Sequence, residues 1–156
     1  MYPTLLSLIT YLPLAGAALA FILGRGSIEQ ERTARWLALW TSLVVLALSA
    51  VLWVQFDPTQ PGLQFETRLG WLSDYGISYH TGLDGISLVF ILLTAFVTPL
   101  AIAASWRTVQ TQARTFAVTM LMLETALFGL FSAQDLVLFY VFYEATLIPA
   151  RLMLGV

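Results

Sequence analysis

The 156-residue sequence contains no cysteine, no lysine and a single histidine, and only 10% of its residues are charged. Without Cys there can be no disulfide, thiolate metal site, Cys-ligated iron–sulfur cluster or thiol nucleophile. A lone His cannot ligate a haem pair. All seven cations are Arg, against nine acids, for a formal net charge of −2, so the basic excess from which nucleic-acid binding starts is missing. Soluble domains are about 25% charged, and the low charge here excludes an ordinary soluble domain. No phosphate loop, dinucleotide fingerprint or nucleophile triad is present either. Any redox chemistry associated with the chain would therefore have to occur elsewhere.

Apolar residues make up 59% of the sequence, and the mean hydropathy is +0.83. They fall into five runs: 4–24, 34–56, 84–106, 115–132 and 136–156. Each run is long enough for a hydrocarbon core about 30 Å thick at about 1.5 Å per residue. Backbone groups in lipid must be paired within the segment, so each run is predicted to be a helix. The expected class is an all-α membrane protein with five transmembrane helices in a single transmembrane unit, residues 1–156. No Lys or Arg precedes the first run, so it reads as a retained span rather than a secretory signal. Arg25, Arg32, Arg35, Arg107 and Arg114 fall on one side and Arg68 alone on the other. The positive-inside rule then places the N-terminus outside. Trp36, Trp53, Trp71 and Trp106 lie at or near span ends, as interfacial aromatics do.

The long outer loop, 57–83, opens with Asp57, Pro58, Pro61 and Gly62, which suit a turn after a helix end. Leu63, Phe65, Thr67, Leu69 and Trp71 then alternate with Gln64, Glu66, Arg68 and Gly70, the two-residue period of a strand. Ser73 to Gly76 could turn it back toward Ile77 and Tyr79, forming a β-hairpin on the outer face. An isolated hairpin is marginal in water, so it is expected either to cap this chain's own helix ends or to dock on another subunit.

Two acids lie inside the spans. Glu124 is eight residues before Ser132 and Glu144 eight after Leu136, so each is about 12 Å from the outer end of its helix. Ala133, Gln134 and Asp135 join the two helices, making them antiparallel neighbours. The two carboxyls thus occupy one layer near the bilayer centre, where an ionisable acid is expensive and usually functional. If they face each other they could share a proton; if not, each needs its own partner or serves as packing glue. Pro149 cannot donate to the carbonyl of Ala145 and so opens the helix beside Glu144, leaving an acceptor for water or a proton relay. Pro99 and Pro13 do the same to Ala95 and Ile9. Asp84 and Asp135 start outer-face helices and read as N-terminal acids favoured by the helix dipole. His80, with no second His or Cys nearby, is a poor metal-ligand candidate, and no metal site is expected.

Two stretches carry a family resemblance. Residues 79–88, Tyr-His-Thr-Gly-Leu-Asp-Gly-Ile-Ser-Leu, followed by 92–100, Leu-Leu-Thr-Ala-Phe-Val-Thr-Pro-Leu, resemble the third-helix signature of subunit M of respiratory complex I. Leu123-Glu124-Thr125 leads into residues 131–149, Phe-Ser-Ala-Gln-Asp-Leu-Val-Leu-Phe-Tyr-Val-Phe-Tyr-Glu-Ala-Thr-Leu-Ile-Pro, which resemble its fourth and fifth helices, the chain 4 type in organelles. The Phe-Tyr-x-Phe-x-Glu-x-x-Leu-Ile-Pro pattern at 139–149 is the more specific of the two matches. Sister subunits L and N and the multisubunit cation/proton antiporters share the glutamate but are usually written differently around it.

The resemblance implies a proton-translocating, antiporter-like membrane subunit of NADH:quinone oxidoreductase in the inner or cytoplasmic membrane. Glu144 would be the main proton-pathway residue, Glu124 a candidate relay neighbour and Pro149 the helix break beside the pathway. No cofactor would be bound by this chain; NADH, FMN, iron–sulfur clusters and quinone would belong to the wider complex. The partners would be its other membrane subunits, especially the neighbouring antiporter-like ones, and the lipid bilayer, with no nucleic acid. In the family a later lysine pairs with the glutamate, and this sequence has no Lys, so it is expected to be the N-terminal piece of a larger antiporter-like bundle. The alternatives are a subunit of a multisubunit cation/proton antiporter and a non-translocating scaffold fragment. Arg151, seven residues past Glu144, stands where the family has an apolar residue. It lies about 10 Å further along the helix, cannot release its proton to replace a relay lysine, and is expected to snorkel to the inner surface.

Overall fold

The computed structural model describes residues 3–24, 26–109 and 111–155. Arg25, counted above for orientation, and Val156 lie outside the described residues. Five helices form: α1 (Pro3–Leu23), α2 (Ile28–Gln55), α3 (Gly85–Ala104), α4 (Ala113–Ser132) and α5 (Leu136–Met153), with strands β1 (Gln64–Leu72) and β2 (Ile77–Leu83) between α2 and α3. All five helices are long and apolar enough to cross a membrane, and the chain is a multi-pass membrane protein.

The second helix starts at Ile28, six residues before the expected Ala34. The Gln30 side chain accepts the Ser27 N–H at 2.9 Å, one half of a capping box, and Glu29 and Glu31 sit in the first turn, where the helix dipole favours them. At 28 residues the helix is about 42 Å long. It exceeds the apolar thickness of a bilayer, and its polar first turns lie beyond the apolar run that the sequence marks out.

Helices α1 to α4 form the body of the bundle, with α4 touching each of the other three. Lipid tails are as apolar as Leu, so helices in a membrane associate by close approach rather than by hydrophobic exclusion. The buried stripe of α2 is accordingly mostly small, Ala34, Ala38, Ser42, Val45 and Ser49, and ends in Leu52. A Cβ on Gly16 would stand 2.6 Å from Thr41 Cγ2, so this glycine sets how near α1 comes to α2. Larger apolar side chains, including Leu6, Ile9, Ile91 and Phe128, fill the core near the hairpin end. Ala17, Ala38, Ile102, Ala117 and Leu121 form a second cluster toward the other end.

The hairpin is antiparallel and turns through residues Ser73–Tyr75 and Gly76, at φ 70. The regular alternation expected of β1 is broken. Gln64 pairs with Leu83 and Thr67 with Thr81, so β1 carries one residue more than β2 and bulges there. Phe65 takes a positive φ of 54 and is buried beside Gln64, while Leu69 and Trp71 remain more than half exposed. The hairpin rests on the chain's own helix ends: the Gln134 N–H donates to the His80 carbonyl at 2.8 Å, and Thr81 bridges to Ala133. His80 is bound to Glu66, Nε2 to Oε1, at 2.6 Å.

Asp84 and Asp135 cap α3 and α5. Asp84 accepts the Ser87 N–H at 2.7 Å, which holds its carboxyl below the usual range. Asp135 accepts from Val137 at 2.9 Å through one oxygen and from Ser78 at 3.1 Å through the other. Its carboxyl is lowered first by the Ser78 amide and then by the amides of its own helix. One side chain thus ends a helix and holds the hairpin.

Candidate functional site: two acids in adjacent helices

Helices α4 and α5 meet closely. A Cβ on Gly129 would overlap the ring of Phe142, so this glycine gives Phe142 its seat. Leu138, Phe142, Ala145 and Pro149 recur at helical spacing and are the more covered positions of α5, with Leu138 and Pro149 fully buried. Each residue advances about 100° around a helix, so Glu144, two past Phe142, points about 200° away from α4. It lies on the exposed face of α5, in a shallow cleft of about 480 Å³ walled only by α5 residues, Arg151 among them. The Tyr140 hydroxyl, one turn earlier, lies near the Glu144 carboxyl.

Glu124 is 1% exposed and lines a cleft of about 240 Å³ between α3 and α4 with Thr94 and Thr98. Both threonines spend their hydroxyl protons on their own helix: Thr94 donates to Phe90 and Thr98 to Thr94, at 2.8 and 2.9 Å. Although the Thr98 hydroxyl is turned toward the carboxyl, neither Glu124 oxygen has a hydrogen-bond partner. The buried hydroxyls of Thr125 and Ser49 are unpartnered as well. An unpaired polar group is costly to bury and an unpaired charge far more so, so this side chain calls for a proton or a partner.

The two clefts share no residue. Glu124 and Glu144 lie at matching depth on neighbouring helices, but the structure turns them to different faces. Pro149 is buried on the α4 side of α5, and Pro99 is buried in α3 one residue past Thr98. Arg151 is exposed in the last turn of α5. The sequence reading missed the Thr94–Thr98–Glu124 cleft; its signal was the four-residue spacing of the threonines, which puts both on one helix face.

Residues 28–129 match the family described as NADH-ubiquinone oxidoreductase chain 4, amino terminus. The chain is 44% identical over 153 residues to NADH-quinone oxidoreductase subunit M of Rhodobacter capsulatus, covering 97% of this chain and 29% of that one. It is 38% identical over 152 residues to NADH-ubiquinone oxidoreductase chain 4 of Mycosarcoma maydis, covering 97% and 31%. Among solved structures, a chain of respiratory complex I from Thermus thermophilus with bound NADH superposes with a TM-score of 0.75 at 33% identity, covering 96% of this chain and 28% of that one. The chain thus spans about 30% of the length of the curated relatives it matches.

Proposed function

The chain belongs to the NADH-ubiquinone oxidoreductase chain 4 family, and from that premise we propose that it is a membrane subunit of an NADH:quinone oxidoreductase coupling electron transfer from NADH to quinone to proton translocation. Glu144 is the main protonation site. The observation that carries this reading is the placement of Glu144 at mid-helix depth on a face of α5 that the described residues leave uncovered, beside Tyr140 and in the cleft that Arg151 also lines. An acid there is expensive unless other helices supply it with a path.

Pro149 leaves the Ala145 carbonyl free as a further acceptor on the same helix. Glu124 is a second protonation site, reached through α3 rather than from Glu144, with Thr94 and Thr98 as its hydroxyl neighbours. The electron carriers, NADH, FMN, iron–sulfur clusters and quinone, belong to other subunits of the assembly, and this chain contributes proton movement. Its N-terminus faces outward from the inner or cytoplasmic membrane, with Arg32, Arg35, Arg107 and Arg114 on the inner side.

The assignment is tested by tagging the chain in its native cell and purifying it from membranes in mild detergent. Co-purification with flavin and iron–sulfur absorbance and with NADH:quinone activity is the expected result. Isolation with cation/proton exchange activity and no redox centre would replace this reading with the antiporter one.

A further inference from the structure

Away from both acids, the inner halves of α1 and α4 part to leave a groove of about 400 Å³. Its floor is Ala17 and its walls are Leu14, Phe21, Val118 and Met122, so the lining is almost wholly apolar. The lining residues cover 14–21 on α1 and 114–122 on α4, with Leu152 of α5 beside them, so the groove runs for about 12 Å along the helix axes. At its mouth, by the N-terminus of α4, stands Arg114. The stem of Arg114 lies against Gly24, where a Cβ would come within 2.8 Å of Cγ, and its guanidinium sits 5.1 Å from the centre of the Phe21 ring.

Among the described residues no carboxylate pairs with Arg114. The nearby acid Glu31 instead accepts the Ala113 N–H at 3.2 Å, and Arg32, Arg35, Arg107 and Arg151 share this end of the bundle. A long apolar slot closed by one fixed, unpaired guanidinium matches an amphiphile with a single anionic head. We propose that this groove holds one acyl chain of an anionic phospholipid, with its phosphate on Arg114. An acyl chain is narrow enough to lie along the groove. Arg suits phosphate because its planar fork offers two parallel donors.

The site is tested on the complete assembly, purified and reconstituted in phosphatidylcholine vesicles containing a minority of spin-labelled phosphatidylglycerol or spin-labelled phosphatidylcholine. The immobilised fraction is then compared for the native protein, Arg114→Gln, Arg114→Lys and Ala18→Trp, the last of which fills the groove. Native protein should immobilise phosphatidylglycerol in preference to phosphatidylcholine. At the groove itself, read as the ratio of the two lipids captured by a photo-crosslinker placed at Leu14, Arg114→Gln should lower the preference about fivefold, as expected for one basic contact at a membrane surface, and Arg114→Lys should keep most of it. Ala18→Trp should release a share of both lipids. NADH oxidation by each variant shows that the assembly is intact. Equal immobilisation of the two lipids, an unchanged preference in Arg114→Gln, or a photo-crosslinker at Leu14 that captures protein instead of lipid would each overturn the proposal.

Discussion

Replacing Glu124 with leucine should make the protein more stable. Glu124 is 1% exposed, and both of its oxygens lack a hydrogen-bond partner. On protein mutational scales an unsatisfied buried polar group carries a penalty of about 1–3 kcal/mol. Leucine is of similar size, removes the polar atoms and keeps the contacts with the α3 side of the cleft. Glu124→Leu should therefore raise the free energy of unfolding by about 1–3 kcal/mol, or about 5- to 150-fold in the unfolding equilibrium at about 1.4 kcal/mol per decade. Glu124→Gln, which leaves a polar group in the same place, should be close to neutral. Leu121→Ala, at a fully buried apolar position one turn away, should lower stability by about 2–5 kcal/mol and calibrates the assay. Equilibrium unfolding of the purified subunit in detergent micelles reads all three. If Glu124→Leu is instead destabilising by more than about 1 kcal/mol, the carboxyl has a strong partner and the reading of an orphaned acid is wrong. A gain in stability together with impaired proton transfer would mean that the acid is kept for function at the expense of packing.

Other consequences are more local. Gly129→Val should drive a side chain into Phe142 and lower stability by about 1–3 kcal/mol; Phe142→Ala in the same chain should recover part of that loss, as read by thermal unfolding. Because amide donors hold the Asp135 carboxyl below its ordinary value, its bonds to Ser78 and Val137 are present above the unfolded pKa of about 3.9. They are lost only as pH falls through the lower folded value. Hydrogen exchange in β2, corrected for its intrinsic pH dependence, should therefore stay slow to below about pH 4 and become fast at neutral pH in Asp135→Ala. For the proposed orientation, a cysteine at Gly62 should be labelled by a membrane-impermeant maleimide from the side of the N-terminus, and one at Thr111 only from the opposite side.

Much of the fold was legible because it is dictated by length and hydropathy. The five apolar runs became five helices, and Ser73 to Gly76 turned the hairpin as Ser73, Asp74 and Gly76 suggest. The boundary of α2 was not legible because an amphipathic turn stabilised by Gln30, Glu29 and Glu31 has no apolar signal. The faces of β1 were misread at the bulge: alternation assumes one residue per register step, and Phe65 breaks that step with a backbone conformation bulky residues seldom adopt. At the site, the depth of both acids followed from the short turn at Ala133 to Asp135. Their directions depend on which residues of α5 seat against α4, and that is settled by the Gly129–Phe142 contact. Once this pair is known, the exposure of Glu144 follows from helix geometry.

The role of Glu144 in coupling is tested by Glu144→Gln in the complete subunit within its assembly, reconstituted in vesicles, with protons moved per NADH oxidised followed alongside NADH oxidation by an artificial acceptor. The substitution keeps the size of the side chain and removes its ability to exchange a proton. A marked loss of proton translocation is expected, while oxidation by the artificial acceptor, whose chemistry the proposal assigns to other subunits, stays near normal. Full proton translocation at the native ratio would contradict that role and would leave Glu144 an acid without a part in coupling.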